Sequence, residues 1–447
     1  MRTGLRIAVS ATLCLGFAHL GTLVCTSMQP PESASSTYEP VRWSNGIRRA
    51  GQSYVKRHGR ILQVGLVGSP AEIGNAHASM LHAEMVESEA ALWSVFGRIA
   101  PWWPLRAALI DLSRWRFRQL ALHYPQARID ELAAAAQAFR PDPFDDELPT
   151  WQRFLYLNAL YDIALSFEHS PLIGCSSVVL SGQRSAQGHT LLARNFDFET
   201  HEVFDLGKAV LLVRENGKVP FASVAWPGLI GVVSGMNARG VGIVVHGARA
   251  LHSSAEGEPV LLTLRDALAE SETADQAAAL IAARNPMVSH LVLVADASGA
   301  SLVIERAPGA AAHIRRATET LALSNHFEGP LADDPANIRV RERTSTIDRR
   351  ARLEELVGSL QHPATVRDLA RILRDRKGAG GRELAAGDRR AIDADIATHG
   401  VVMDLSERKL WVSEGPHLQG RFVRFDVQRL LEDSYDPELD DPTDPIP

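Results

Sequence analysis

From about residue 70 to residue 168, apolar positions recur every three or four residues, as in SMLHAEMVESEAALWSVF, RIDELAAAAQAF and WQRFLYLNALYDIALSF. That spacing lines up one face of a helix, so the stretch predicts a series of amphipathic helices. Then the period falls to two. Ser176–Ser181, Thr190–Arg194, Ala209–Arg214, Phe221–Trp226, Ile230–Ser234 and Val241–His246 are short β-branched runs separated by the turn signals SGQ, AQG, ENGK, WPG and NARG. A helical stretch covers Leu262–Arg284, and four more strands follow in HLVLVAD, ASLVIER, AAHIRR and TLALSN. Helices at Thr346–Leu360 and Thr365–Arg376 precede a closing hairpin, THGVVMDLSERKLWVSEG. Strands joined by hairpins, with helices grouped between them, predict an α+β layered domain with antiparallel sheets. Strand and helix do not alternate, which excludes a dinucleotide-binding domain.

The two ends depart from this pattern. Arg2 and Arg6 precede Ile7–Val24, a run with no charge beyond whatever His19 carries. Residues 1–27 therefore read as an export signal or, at 18 apolar residues, an uncleaved membrane anchor. Arg42, Arg48, Arg49, Lys56, Arg57 and Arg60 follow without an acid among them, which opposes translocation. The expectation is an exported protein, periplasmic or extracellular, touching a membrane only through its N-terminal segment. Residues 28–40 are rich in Pro and Ser, a linker by composition, and 434–447 read as an acidic disordered tail.

Composition changes this picture little. The 447 residues are 45% hydrophobic and 22% charged, with net charge −6, which gives no reason to expect a nucleic-acid partner. The arginines between Arg339 and Arg390 are interleaved with acids and read as solvated helix faces. No metal-ligand spacing is present; His77 and His82 sit five apart, on different helix faces. Of the three cysteines, Cys14 and Cys25 lie in the N-terminal segment. Its removal leaves Cys175 alone, so the chain is no disulfide scaffold.

Cys175 stands where the helical part ends and the strands begin, after Gly174, which tolerates strained backbone angles. A hairpin through Gly182–Gly188 would bring Arg194 and Asp197 back beside it. Cleavage between Gly174 and Cys175 would put a thiol and an α-amino group in one residue, supplying nucleophile and base together. A free thiol with pKa ~8.5 is only about 3% thiolate at pH 7; an arginine lowering it by ~2 units would raise that to roughly three quarters. Asp197 would then hold the new amino group.

The run GCSSVVLSGQRSAQGHTLLARNFDFE resembles the start of the mature chain in cysteine N-terminal-nucleophile hydrolases. That group includes choloylglycine hydrolase, penicillin V acylase, acid ceramidase and the acyl-CoA:6-aminopenicillanic acid acyltransferases. GSPAEIGNAH (68–77), GMNARGVGI (235–243), LSNHF (323–327), TIDRRARLEEL (346–356) and VVMDLSERKLWVSEG (401–415) follow in family order, so the resemblance covers Gly68 to Asp426. It implies a four-layer αββα sandwich, with 41–174 as a helical pro-region and 175–433 as the catalytic region. It implies that Cys175 is the nucleophile, Arg194 lines its thiol and Asp197 contacts the new amino terminus. Asn325 is implied as an oxyanion donor, and Arg349 matches the family's late arginine. Where bile salt hydrolases carry a second oxyanion asparagine this chain has His246-Gly247, leaving a Gly247 backbone N–H or His246 as the alternatives.

Other motif residues have plainer readings. Asn237 reads as a turn residue with positive φ, Trp226 and Trp411 as packing, and His326 as facing away from Asn325. The resulting expectation is an autoprocessed cysteine hydrolase or acyltransferase acting on linear amides, with a small N-acyl amide or an acyl thioester as substrate, no cofactor, and two chains that stay associated. The alternatives are a papain-like protease using Cys175, His246 and Asn325, or a non-catalytic binding protein on the same fold.

Overall fold

The computed structural model describes residues 17, 19–31, 40–166, 173–251, 254, 256–439 and 441–447. Most of the N-terminal segment (1–16, with Cys14) and of the linker (32–39) lies outside them. Two sheets stack face to face. The six-stranded sheet runs Thr320–Leu323, Ile173–Leu180, Leu191–Phe198, Ala397–Asp404, Lys409–Ser413, Phe422–Asp426, antiparallel throughout. The eleven-stranded sheet has one parallel pair, Ile61–Gly68 against Ala209–Glu215; its other pairs are antiparallel.

The strand period sorts side chains between layers. Val179, Leu192, Val401 and Met403 enter the core between the sheets, where they meet Val210, Val224, Val244 and Leu293. Their neighbours Val178, Leu180, Leu191 and Val402 point outward, onto helices Thr346–Gly358 and Val366–Leu373. On the far side, Pro70–Met80, Val260–Glu270 and Ala274–Ala283 cover the larger sheet. The order is helix, sheet, sheet, helix, as the α+β reading required.

Four expectations need correcting. Residues 42–68 are not helical; Arg42–Ser44, Ile47–Ala50, Ser53–His58 and Ile61–Gly68 are strands that extend the larger sheet. Ile230–Ser234 is not the strand, which spans Ser234–Asn237. The Ile230 and Val232 N–H groups are taken by Asn158 Oδ1 and Leu261 O, so no ladder starts there. Asn237 lacks positive φ, which falls to Gly240 (φ 81°). Its buried amide instead organises the turn, accepting from Arg239 N and Val241 N and donating to Leu268 O and Ser271 O. The acidic tail is seated too: Phe422 and Ile446 exchange both backbone hydrogen bonds, Ile446 is buried, and Asp441 pairs with Lys56 at 2.9 Å. The basic strands and the acidic tail neutralise one another across nearly the whole sequence.

Among the described residues, no helix is long and apolar enough to cross a membrane, and no cluster of His, Cys, Asp or Glu could hold a metal. Cys25 is exposed and Cys175 buried.

Candidate active site

The hairpin register places the site. Cys175 pairs with Phe196, Ser177 with Arg194 and Gly174 with Asp197. On the other side Leu323 pairs with Ser177, and the chain beyond it brings Asn325 alongside Cys175. Alternation then divides the groups. Cys175 and Arg194 share the face toward the larger sheet, whereas Gly174 and Asp197 share the opposite face.

On the inner face Arg194 Nη2 donates to Cys175 Sγ at 3.4 Å and to Val245 O at 2.7 Å. Its Nη1 donates to Val233 O at 3.3 Å and to the Ser234 hydroxyl, and lies 3.2 Å from His399 Nε2. The guanidinium sits 4.3 Å above the Phe196 ring. His246 turns its Nε2 to Ser177 Oγ at 2.8 Å. Burial, reinforced by Arg194, holds both His246 and His399 far below the usual imidazole range, so neither is charged at neutral pH.

On the edge-strand side the Cys175 N–H donates to Asn325 Oδ1 at 2.8 Å, and Arg349 and Asp197 lie on the outer face. Arg349, one turn into its helix, donates to Cys175 O, to Ser176 Oγ at 3.0 Å and to Asn325 Oδ1 at 2.8 Å. Asn325 Nδ2 reaches Gly247 O at 2.9 Å, and Thr346 Oγ1 accepts from Asn325 N at 2.8 Å. Asp197 is fully enclosed, and its Oδ1 has no partner. Burial raises its pKa to about 6 against the pull of Arg349 and Arg194. Gly174 has no positive φ; a Cβ there would fit tightly, 3.0 Å from Asp197 Oδ2 and 3.3 Å from Asp197 Cβ.

Cys175, Arg194, Asp197, Asn325 and Arg349 therefore meet in one place. His246 and Gly247 are adjacent to it but differently engaged. Gly247 faces Asn325 with its carbonyl, an acceptor, and the His246 ring is committed to Ser177. That engagement, and a strand rather than a helix at Cys175, disfavours the papain-like arrangement. The thiol differs from expectation: Arg194 and Arg349 pull its pKa down, but burial outweighs them and the net shift is upward.

Two cavities flank the site. An apolar one of about 110 Å³ is lined by Tyr161, Phe196, Phe198, Trp226, Leu229 and Leu261, among others. A larger polar one of about 450 Å³ opens at Gly174, Asp197, Gly247, Asn325 and Arg349 and carries Arg343 on its wall. Trp226 packs in the core as expected and also walls the apolar cavity, and Trp411 packs beneath the outer helices. His326 lies 3.0 Å from Thr346 Oγ1 and takes no part.

Sequence reasoning missed three neighbours. Tyr161, from the helix before Cys175, brings a buried hydroxyl with no partner to the apolar cavity. Ser234 and His399 complete the shell around Arg194. Nothing local marks any of them.

A family model described as acyl-coenzyme A:6-aminopenicillanic acid acyl-transferase matches residues 184–416, just over half of the chain, beginning downstream of Cys175. N-acylethanolamine-hydrolyzing acid amidase of Mus musculus is 24% identical over 133 residues, 30% of this chain and 35% of that protein. An uncharacterized protein of Archaeoglobus fulgidus is 22% identical over 254 residues, 52% of this chain and 41% of its own length. The matches thus span less than half of either relative. Among solved structures, penicillin V acylase from Agrobacterium tumefaciens aligns with a TM-score of 0.41 at 14% identity, covering 58% of this chain and 89% of that one. A Caenorhabditis elegans ortholog of N-acylethanolamine-hydrolyzing acid amidase aligns with a TM-score of 0.40 at 14% identity, covering 52% and 93%. Scores this low carry no argument, and the layering described above rests on this chain's own strand pairing. On the extent of the family-model match, the chain belongs to the acyl-coenzyme A:6-aminopenicillanic acid acyl-transferase family.

Proposed function

We propose that this protein is a cysteine amide hydrolase or N-acyltransferase that activates itself by cutting before Cys175. The observation that carries this reading is the clasp on the Gly174–Cys175 junction. Asn325 holds the Cys175 N–H, Arg349 holds its carbonyl, Arg194 holds its sulfur, and Asp197, whose Oδ1 has no partner, stands on the Gly174 side with its Oδ2 toward the glycine.

In processing, Cys175 Sγ gives up its proton and attacks the Gly174 carbonyl carbon. The peptide C–N bond breaks, nitrogen takes the proton, and a thioester forms; water then opens it, leaving a Gly174 carboxylate and a free α-amine. That amine, once protonated, supplies the partner Asp197 lacks. In turnover the amine accepts the thiol proton, and the thiolate attacks the acyl carbonyl of the substrate amide. Asn325 Nδ2 leaves Gly247 O to donate to the oxyanion, a contribution of about 3–4 kcal/mol. The α-ammonium protonates the departing amine, and water or an acceptor amine releases the acyl group. The apolar cavity suits the acyl chain and the polar one the amine.

The two chains stay together in this proposal. The first 174 residues contribute four strands, one hydrogen-bonded to Ala209–Glu215. Buried ion pairs also cross the junction: Arg128 with Glu215 at 2.5 Å, and Arg265 with Glu131 at 2.8 Å. Removing one member of such a pair costs about 3–5 kcal/mol. Export with the N-terminal segment retained belongs to the same reading; fractionation of a tagged full-length chain would test it.

The catalytic claim is tested by acid-quenching the protein with an N-acyl amide and weighing it intact. An acyl-sized mass on the chain that begins at Cys175, removable by hydroxylamine, is the expected result. Turnover that survives in Cys175→Ala would sink the proposal.

A further inference from the structure

Two helical segments expose their apolar sides and keep polar groups between them. In the helix Trp103–Arg116, Leu105, Ala108, Leu112 and Trp115 fall at i, i+3, i+7 and i+10, and all four are exposed. In the turns over residues 19–25 and at residue 17, Phe17, Leu20 and Val24 fall at i, i+3 and i+7, with Val24 79% exposed. The contacts joining the two are polar. Trp115 Nε1 donates to Thr22 Oγ1 at 2.8 Å, Arg114 Nε to Thr26 Oγ1 at 2.9 Å, and His19 Nδ1 lies 2.8 Å from Asp111. In water a helix pair arranges itself the other way round.

At the N-terminal end of the helix Trp103–Arg116, and in the turn before it, Ile99, Trp102 (75% exposed) and Trp103 (72% exposed) are open to solvent as well. The segment's charge is one-sided: with Arg114 buried against Thr26, Arg98, Arg106, Arg116 and Arg118 stand against the single acid Asp111 between residues 98 and 118. We propose that this face seats the protein on an anionic lipid bilayer, with Trp102 and Trp103 at the level of the headgroups. Tryptophan prefers that boundary, and the arginines complement the lipid charge. Phe17, Leu20 and Val24, from the apolar N-terminal run, add exposed apolar surface beside this helix. The helix His82–Ile99, whose Met85 and Leu92 wall the apolar cavity, also ends here. The bilayer is then the nearest source of an apolar acyl chain. Membrane contact extends beyond the N-terminal segment, and the inference is independent of what Cys175 does.

The test mixes the full chain with phosphatidylcholine vesicles, with or without phosphatidylglycerol, whose acyl chains carry bromine as a short-range fluorescence quencher. Tryptophan emission should be quenched, severalfold more with the anionic lipid. Trp102→Phe/Trp103→Phe should lose a large share of that quenching, with Trp115 keeping the rest, and with unchanged circular dichroism, since both side chains are exposed. Wild-type emission that is not quenched, or quenching unchanged in the double variant, overturns the proposal. So does a dimer in solution that the double variant dissociates without any vesicle binding, which would assign the face to a second copy.

Discussion

The two faces of the strand Ile173–Leu180 use the same kinds of residue to opposite ends. On the inner face every donor of the Arg194 guanidinium headgroup except Nε has a partner, and the two histidines are buried and neutral. That face leaves His246 Nδ1 and His399 Nδ1 without a partner, but it leaves no ionised oxygen so, and its output is a positive charge against one sulfur. On the outer face Asp197 is buried with one oxygen unpartnered, beside a peptide bond and a polar cavity. A buried carboxylate left like that is costly, and the cost makes sense if a cation is to be formed next to it. The contrast separates groups that hold the nucleophile from groups that wait for the reaction.

Substitutions should separate the faces in the same way. The largest effect is expected for Arg194→Ala, which strips the Val233 and Val245 carbonyls and the Ser234 hydroxyl of a buried charged donor. Stability should fall by about 3–5 kcal/mol, read as a drop in the urea midpoint, with processing lost. Next comes Asn325→Ala: kcat should fall about 100- to 1,000-fold while the melting temperature moves little by comparison. A loss confined to KM would move Asn325 out of the oxyanion role.

The third concerns pH. Asp197 has a pKa raised to about 6 from an ordinary 3.8, so the uncut native state binds its proton more tightly than the unfolded chain does. Stability therefore falls as pH rises from about 4 to about 6, by up to about 3 kcal/mol, and stays lower above that window. Asp197→Asn in a Cys175→Ala background, which stays uncut, should abolish that slope in urea melts. The processed protein should lack the slope as well, because the new ammonium stabilises the carboxylate. The smallest effect is expected for Ser177→Ala, which removes the His246 partner on the inner face. It should cost about 1–2 kcal/mol and leave processing intact. Loss of processing would bring His246 back as a reacting group.

Legibility in the sequence followed the range of the interactions. The hairpin from Cys175 to Asp197 is local, so its register could be anticipated and with it the arginine and the carboxylate. Asn325 and Arg349 could be found only through the resemblance, because the strand and helix that bring them in are 150 or more residues away. Tyr161, Ser234 and His399 carry no pattern of their own. The strands within 42–68 were hidden because their positive charge masks the alternation, and the tail that neutralises it lies at the other end of the chain. The thiol's pKa went the other way from expectation for a similar reason: one arginine is visible in sequence, the burial that outweighs it is not.

The central claim is that Cys175 becomes a chain terminus. Intact mass and N-terminal sequencing of the purified protein, beside Cys175→Ala, test it most directly. Wild type should contain a chain of 273 residues beginning Cys-Ser-Ser and ending at Pro447, while the variant stays whole. A folded wild-type protein that remains one chain, or a variant cut at the same bond, would contradict the account.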